Sequence, residues 1–270
     1  MKLLELVENE YPRIKKDEKI KIVIDTMYKS KVDRVVVLKD GGKLYGIATE
    51  WDIFFKLSML KREKYQPYNL SLSSVTTYPV DTLEPSADIK SAIQMFMLKG
   101  YSSIPVVEGE EVIYGLLTKK SVIKKYLPQI KKLDVKIEEM MRKVKGKVEP
   151  FNSLKNVENK MRLGGFNTLV VHSGGKYLGI VTSLDLAKIL FQIRKLHPTR
   201  EWSRYIEKLT VVDIIRKDVE TARPEDKVYK AAEMLASGRQ KVVPIIDEDE
   251  NIVGIVTRRH ILEIILQRIL

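Results

Sequence analysis

The sequence predicts a mixed α/β (α+β) fold in which one βαββα unit of about 60 residues is repeated four times along 270 residues. Three observations predict it. First, a short segment recurs as Gly46-Ile-Ala-Thr49-Glu-Trp-Asp52, Gly115-Leu-Leu-Thr118-Lys-Lys-Ser121, Gly179-Ile-Val-Thr182-Ser-Leu-Asp185 and Gly254-Ile-Val-Thr257-Arg-Arg-His260, with successive glycines 69, 64 and 75 residues apart. Second, Val36, Pro105, Val170 and Pro244 stand nine or ten residues before these glycines. Third, Lys16, Pro85, Pro150 and Pro224 stand twenty residues further upstream. Spacings held over four copies mark internal repeats, and a repeat of this length is one supersecondary unit.

Each element follows from local pattern. After Pro85, the residues Ile89, Ala92, Ile93, Phe96 and Met97 fall at helical spacing, as do Val228, Ala231, Ala232 and Leu235 after Pro224. Short apolar strands come next, over Val35 to Leu38, Ile104 to Val107, Thr168 to Val171 and Val242 to Ile246. Turns follow at Asp40-Gly41-Gly42, Glu108-Gly109-Glu110, Ser173-Gly174-Gly175 and Asp247 to Asn251. The Gly-φ-φ-Thr strand then returns, and a second helix begins at the threonine.

A unit of this size buries too little apolar surface to stand comfortably alone, so the repeats are expected to pair. Counting units gives a first module over 1–130, with repeats at about 3–60 and 74–128. The second covers 131–270, with repeats at about 137–195 and 210–270. Sequential pairing is the short-connection default, although pairing of repeat one with repeat four stays open. The boundary falls near 128–136, around Pro128. Lys61 to Ser74 and His197 to Leu209 read as polar connectors.

The motif Gly-φ-φ-[Thr/Ser]-x-x-Asp, recurring four times in a βαββα context, resembles the CBS (cystathionine-β-synthase) domain family over nearly the whole chain. The resemblance implies two Bateman modules, each with pseudo-twofold symmetry and two clefts between its repeats. It also implies a non-enzymatic regulatory, energy-sensing protein that binds AMP, ADP or ATP and needs no cofactor. Family members commonly dimerise, often as flat discs, so a monomeric disc or a homodimer is expected, with output passing to an unknown effector protein. Carried onto this chain, Asp52 and Asp185 would hold ribose hydroxyls, and Thr49 and Thr182 would meet phosphate. Thr118 and Thr257 take the same positions in the even repeats.

The chemistry suits these residues. A carboxylate accepts two hydrogen bonds from a cis-diol, and charge-assisted bonds are the strong ones. A helix N-terminus offers free N–H groups and a positive dipole end to an anion. Thr-x-x-Asp is equally a variant of the capping box, and capping and binding can coexist. The even repeats depart from the motif, because Ser121 and His260 replace the aspartate. Between them lie Lys119-Lys120 and Arg258-Arg259, cations that oppose the helix macrodipole. With His260, they are candidates to neutralise phosphate, although a solvated basic face is the alternative and only one of each pair would reach a ligand. Val80 and Val219, at matching positions before the helices, are candidate walls of a base pocket.

Composition narrows the remaining classes. The chain has no cysteine and three scattered histidines, which excludes disulfides, cysteine catalysis and a His-rich metal cluster. Met1 to Glu10 is charged and lacks a signal-peptide core, and apolar runs are too short for a membrane span, so a cytoplasmic protein is expected. Charged residues make up 31% of the chain, a mixture that fits a thermophile's ion-pair-rich surface. The net charge of +12 favours anionic partners. Nucleic acid is therefore a second candidate partner, although no helix-turn-helix, finger or RNP-like signature accompanies the lysine stretches. S-adenosylmethionine is a third, but it would leave the even-repeat cations unexplained. Gly41-Gly42-Lys43 and Gly174-Gly175-Lys176 lack P-loop spacing. The acids Asp247 to Glu250 are more simply a solvated turn than a metal site.

Overall fold

The computed structural model describes residues 3–59, 69–109 and 112–270. Part of the first predicted connector, 61–68, and Glu110 of the second predicted turn lie outside the described residues. In chain order the first repeat contains β1 (Val7–Glu8), β2 (Arg13–Lys15), α1 (Ile20–Lys29), β3 (Arg34–Leu38), β4 (Leu44–Thr49) and α2 (Glu50–Met59). The second contains α3 (Ile89–Lys99), β5 (Ser103–Glu108), β6 (Val112–Thr118) and α4 (Lys119–Ile130). The third contains β7 (Lys147–Val148), α5 (Leu154–Gly164), β8 (Thr168–Ser173), β9 (Lys176–Thr182) and α6 (Ser183–Leu196). After α7 (Thr199–Lys208), the fourth contains α8 (Val228–Ser237), β10 (Val242–Ile246), β11 (Ile252–Thr257) and α9 (Arg258–Arg268).

The helices start where the sequence places them. α1, α3, α5 and α8 each begin four residues after Lys16, Pro85, Pro150 and Pro224. The Asp88 carboxylate accepts the Ser91 N–H at 3.0 Å, and Ser153 Oγ accepts the Asn156 N–H at 3.2 Å. These side chains satisfy donors that a helix start leaves orphaned. At the other end, α3 and α5 stop on Gly100 and Gly165, both left-handed. Each strand pair of the Gly-φ-φ-Thr hairpins is antiparallel, and the leading strands β2 and β7 add in parallel to β3 and β8.

Each repeat also lends its leading segment to a neighbouring sheet, and this explains the motif glycine. Thr77 bridges Ile47, Glu8 bridges Leu116, Arg216 bridges Ile180, and Arg142 bridges Ile255. Every one of these four bridges falls on the residue just after a motif glycine. A Cβ on Gly46 would sit 2.3 Å from the Thr77 carbonyl oxygen, and one on Gly115 or Gly179 would sit 2.4 Å from that of Glu8 or Arg216. No side chain fits there. At Gly254 the nearest atom is the flexible Met141 Sδ at 2.8 Å.

Repeats 1 and 2 thus exchange strand edges, as do repeats 3 and 4, while helices close the other two contacts. α2 packs on α6, and α4 packs on α8 and α9. One apolar core accordingly joins repeats 1 and 3 through Ile24, Phe54, Leu57, Met161 and Leu190. A second joins repeats 2 and 4 through Phe96, Ile123, Leu235 and Ile261. A smaller cluster of Val36, Ile47 and Leu116 lies between the sheets of repeats 1 and 2. α4 runs through Pro128 as far as Ile130, so the proline sits in its last turn.

The stretch His197 to Leu209, read from sequence as a polar connector, is largely the helix α7. Its anchors Trp202 and Ile206 are buried, and Trp202 Nε1 donates to the His197 carbonyl at 2.8 Å. The Arg194 guanidinium lies over the Trp202 ring at 5.2 Å. Trp202, Tyr205, Ile206 and Leu209 fall at i, i+3, i+4 and i+7 and pack on the core of repeats 1 and 3, so the helical period was present in the sequence, masked by the charged residues between.

Candidate functional site

A cavity of about 350 Å³ lies where repeats 1 and 2 meet. β4 and the start of α2 supply Ile47, Thr49, Trp51 and Asp52, and the leading segment of repeat 2 supplies Val80. The segment entering β5 supplies Tyr101, Ser102 and Ser103. Thr49 and Asp52, taken together from the recurring motif, and Val80, taken from its matching position before the helix, are therefore neighbours. The Asp52 carboxylate oxygen Oδ2 accepts the Thr49 N–H at 2.8 Å and the Thr49 hydroxyl at 2.6 Å. Burial raises the Asp52 pKa above the usual aspartate value, against the hydrogen bonds from Thr49 and the charge of Arg34.

Repeat 3 reproduces this geometry. Asp185 Oδ2 accepts the Thr182 N–H at 3.2 Å and its hydroxyl at 2.5 Å, and the Asp185 N–H donates to Thr182 Oγ1 at 3.3 Å. Tyr28 of repeat 1 donates to Asp185 Oδ1 at 3.4 Å, and burial together with that carboxylate raises the phenol's pKa. Val219 is buried three residues after Arg216, as Val80 follows Thr77.

Sequence reading missed the polar residues that approach these sites from other repeats. Lys241 stands three residues before Pro244, as Ser102 stands before Pro105. Its Nζ lies 2.9 Å from Asp33 and 2.7 Å from Glu50, both in repeat 1. Glu50 also accepts the Ser183 hydroxyl at 2.8 Å. Arg34 forks onto Asp33 at 2.6 and 2.7 Å and donates to Ser102 Oγ at 2.8 Å. Burial disfavours the Asp33 charge, yet Arg34 and Lys241 hold its carboxyl well below the usual range. The equivalence of Lys241 with Ser102 was legible once the prolines were aligned.

In the even repeats, substitutes cap the helices. The Thr118 N–H donates to Ser121 Oγ at 3.1 Å, and the Ser121 N–H donates to Thr118 Oγ1 at 3.0 Å. The Thr257 N–H donates to His260 Nδ1 at 3.3 Å. Burial lowers the His260 pKa, and Arg142 and Arg259 lower it further against Glu263. That imidazole is thus a neutral capping acceptor.

The basic pairs diverge. Lys119 lies 5.9 Å from the Phe96 ring centroid and is pushed down to about 8 by burial and by Arg259, Arg34 and Arg258. Arg258 turns inward and donates to the carbonyls of Leu235 and Gln240, each at 3.2 Å. Lys120 pairs with Glu8 at 2.7 Å, and Arg259 reaches the Met97 carbonyl at 3.1 Å. None of the four lines the cavity beside Asp52.

The acidic turn is held by its own chain, since Asp247 Oδ1 accepts the Asn251 N–H at 2.8 Å. Among the described residues no group of three or more His, Asp or Glu side chains is placed to hold a metal ion, and no helix is long and apolar enough to cross a membrane. The Asp52 cavity therefore offers a carboxylate, hydroxyls and an aromatic wall. These are groups that orient a polar ligand.

The CBS domain model matches residues 5–58, 72–128, 136–192 and 211–267. The chain is 30% identical over 256 residues to the uncharacterized protein MJ1225 of Methanocaldococcus jannaschii, covering 90% of this chain and 91% of that one. The crystal structure of MJ1225, proposed as an archaeal homolog of g-AMPK, superposes with a TM-score of 0.85 at 29% identity over 97% of this chain and 99% of that one. An uncharacterized conserved protein from Pyrococcus horikoshii shares the fold, with a TM-score of 0.61 at 20% identity over 98% of this chain and 99% of that one. A homoserine O-acetyltransferase of Methanohalobium evestigatum is 32% identical over 96 residues, 36% of this chain. That match touches 17% of the enzyme's length, too little to bring its activity to this chain. With four matches spread over most of its length, the chain belongs to the CBS domain family.

Proposed function

We propose that this chain is a non-enzymatic regulatory protein that binds adenine nucleotides in clefts between paired CBS repeats. The two modules are 1–130 and 131–270, each pairing its two repeats through exchanged strand edges. The observation that carries the reading is the cavity itself, in which Asp52, Thr49 and Val80 stand together with Trp51 and Tyr101. Its volume, about 350 Å³, lies within the range of small-molecule sites. Asp52 and Asp185 accept the ribose hydroxyls, with Val80 and Val219 against the base. Thr49 and Thr182 exchange their capping bonds for contacts to phosphate. Lys241, aligned with Ser102, carries its charge to Asp33 and Glu50 of repeat 1.

A nucleotide that bridges two repeats binds one arrangement of them better than another and shifts their population. The output then passes to a separate partner, and MJ1225's stated kinship with g-AMPK fits such a role. Calorimetric titration of the nucleotide-stripped protein with AMP, ADP and ATP tests the reading. Saturable micromolar binding is expected for at least one of them. No heat and no thermal stabilisation with any of the three would remove it, and steeply salt-dependent binding of nucleic acid would replace it.

A further inference from the structure

The four segments that cross the motif glycines place one residue at each cleft in the same register: Thr77, Glu8, Arg216 and Arg142. At the repeat-2 cleft that residue is an acid, and it is fully engaged there. Glu8 Oε2 accepts the Thr118 hydroxyl at 2.7 Å, and Glu8 Oε1 pairs with Lys120 at 2.7 Å. The Tyr11 hydroxyl also points at Oε2, at 3.4 Å. The Tyr11 ring takes the register held by Val80 and Val219 in the odd clefts, three residues after the crossing position. Lys120 and Arg34 lie 5.9 and 6.0 Å from its centroid. Thr118 is only 2% exposed. In the odd repeats the equivalent hydroxyl meets the motif aspartate instead, and Ser121 cannot provide that carboxylate.

We infer that the repeat-2 cleft is an anion site filled by the chain's own Glu8, with Tyr11 in the place of a base, so that it takes up no phosphorylated ligand while β1 stays docked. A carboxylate on a threonine hydroxyl and a lysine ammonium is the pairing that a phosphate oxygen would otherwise make. The contact is local to β1, a two-residue strand held to β6 at Val7 and Glu8. Undocking that strand would free Thr118 and Lys120 together. The inference extends the nucleotide reading to a cleft that lacks the motif aspartate, and its first test does not depend on that reading.

The first test is melting of Glu8→Ala in inorganic phosphate against chloride at matched ionic strength. Glu8→Ala should melt lower than the wild type in chloride, by roughly 2–4 °C. Tens of millimolar phosphate should restore most of that loss in Glu8→Ala and none in Glu8→Ala/Lys120→Ala. Glu8→Gln serves if the alanine variant does not fold, because it too leaves Lys120 without its anion. Equal response of wild type and variant to phosphate would overturn the inference. In a second measurement, Glu8→Ala/Tyr11→Ala, which clears both the anion and the base positions, should bind one more equivalent of AMP than the wild type. An unchanged number, or one equivalent fewer, would overturn it, the latter by making Glu8 or Tyr11 a ligand contact. Absence of AMP binding to both proteins, with phosphate rescue intact, would instead count against the nucleotide reading alone.

Discussion

Replacing Asp52 separates its two roles, because the same carboxylate caps α2 and faces the cavity. Asp52→Ala removes the acceptor of both Thr49 bonds, at 2.8 and 2.6 Å. Loss of a cap of this kind costs about 1 kcal/mol. Asp52→Asn keeps an oxygen for the Thr49 N–H and removes the charge. Burial raises the Asp52 pKa, so its favourable contribution to stability is complete below the unfolded value near 3.8 and is lost as pH rises through the folded one. At neutral pH the ionised group therefore costs stability, and Asp52→Asn should melt at or above the wild type while Asp52→Ala melts below it. Binding should respond the other way. Two hydrogen bonds to a charged acceptor contribute roughly 1.5–3 kcal/mol each. Losing them in Asp52→Ala should weaken nucleotide binding at this cleft by about a hundredfold or more. Melting curves and calorimetry at neutral pH read both effects. The reasoning is refuted if Asp52→Asn is as destabilised as Asp52→Ala, or if affinity at this cleft changes by less than about twofold.

Other consequences follow from the same geometry. Folding stability should fall as pH drops below about 6.5, because the unfolded chain protonates His260 before the folded one does. His260→Asn, which keeps an acceptor for the Thr257 N–H, should flatten that slope in melting curves recorded against pH. Gly46→Ala and Gly179→Ala, blocked by carbonyl oxygens at 2.3 and 2.4 Å, should each cost about 1–3 kcal/mol in urea unfolding. Gly254→Ala, where the nearest atom is a methionine sulfur, should cost less. Trp202→Ala should cost about 3–5 kcal/mol by the same method, since α7 has Trp202 and Ile206 as its buried anchors.

The repeat architecture was legible because each unit obeys a local rule. In three of the four repeats the first helix begins after a fixed proline, in three the hairpin turns on glycine, and in all four the motif threonine precedes the second helix. The motif aspartate was legible as a cap, and the structure shows both odd copies in that role. Residues that act across repeats were not legible. Lys241 meets Asp33 and Glu50 from far along the chain, and Glu8 reaches Thr118 through a two-residue strand that carries no period of its own. The basic pairs were visible, but their directions depended on where α4 and α9 pack. Lys119 and Arg258 turn inward, while Lys120 is spent on Glu8. The motif glycine had a signal, its recurrence, whose cause appears only when the crossing carbonyl is seen.

The most direct test of the central claim is calorimetric titration of AMP into the stripped wild type and into Asp52→Ala/Asp185→Ala. Saturable binding to the wild type is expected, with loss of the equivalents held at the two odd clefts in the double variant. Undiminished stoichiometry and affinity in the double variant would contradict it.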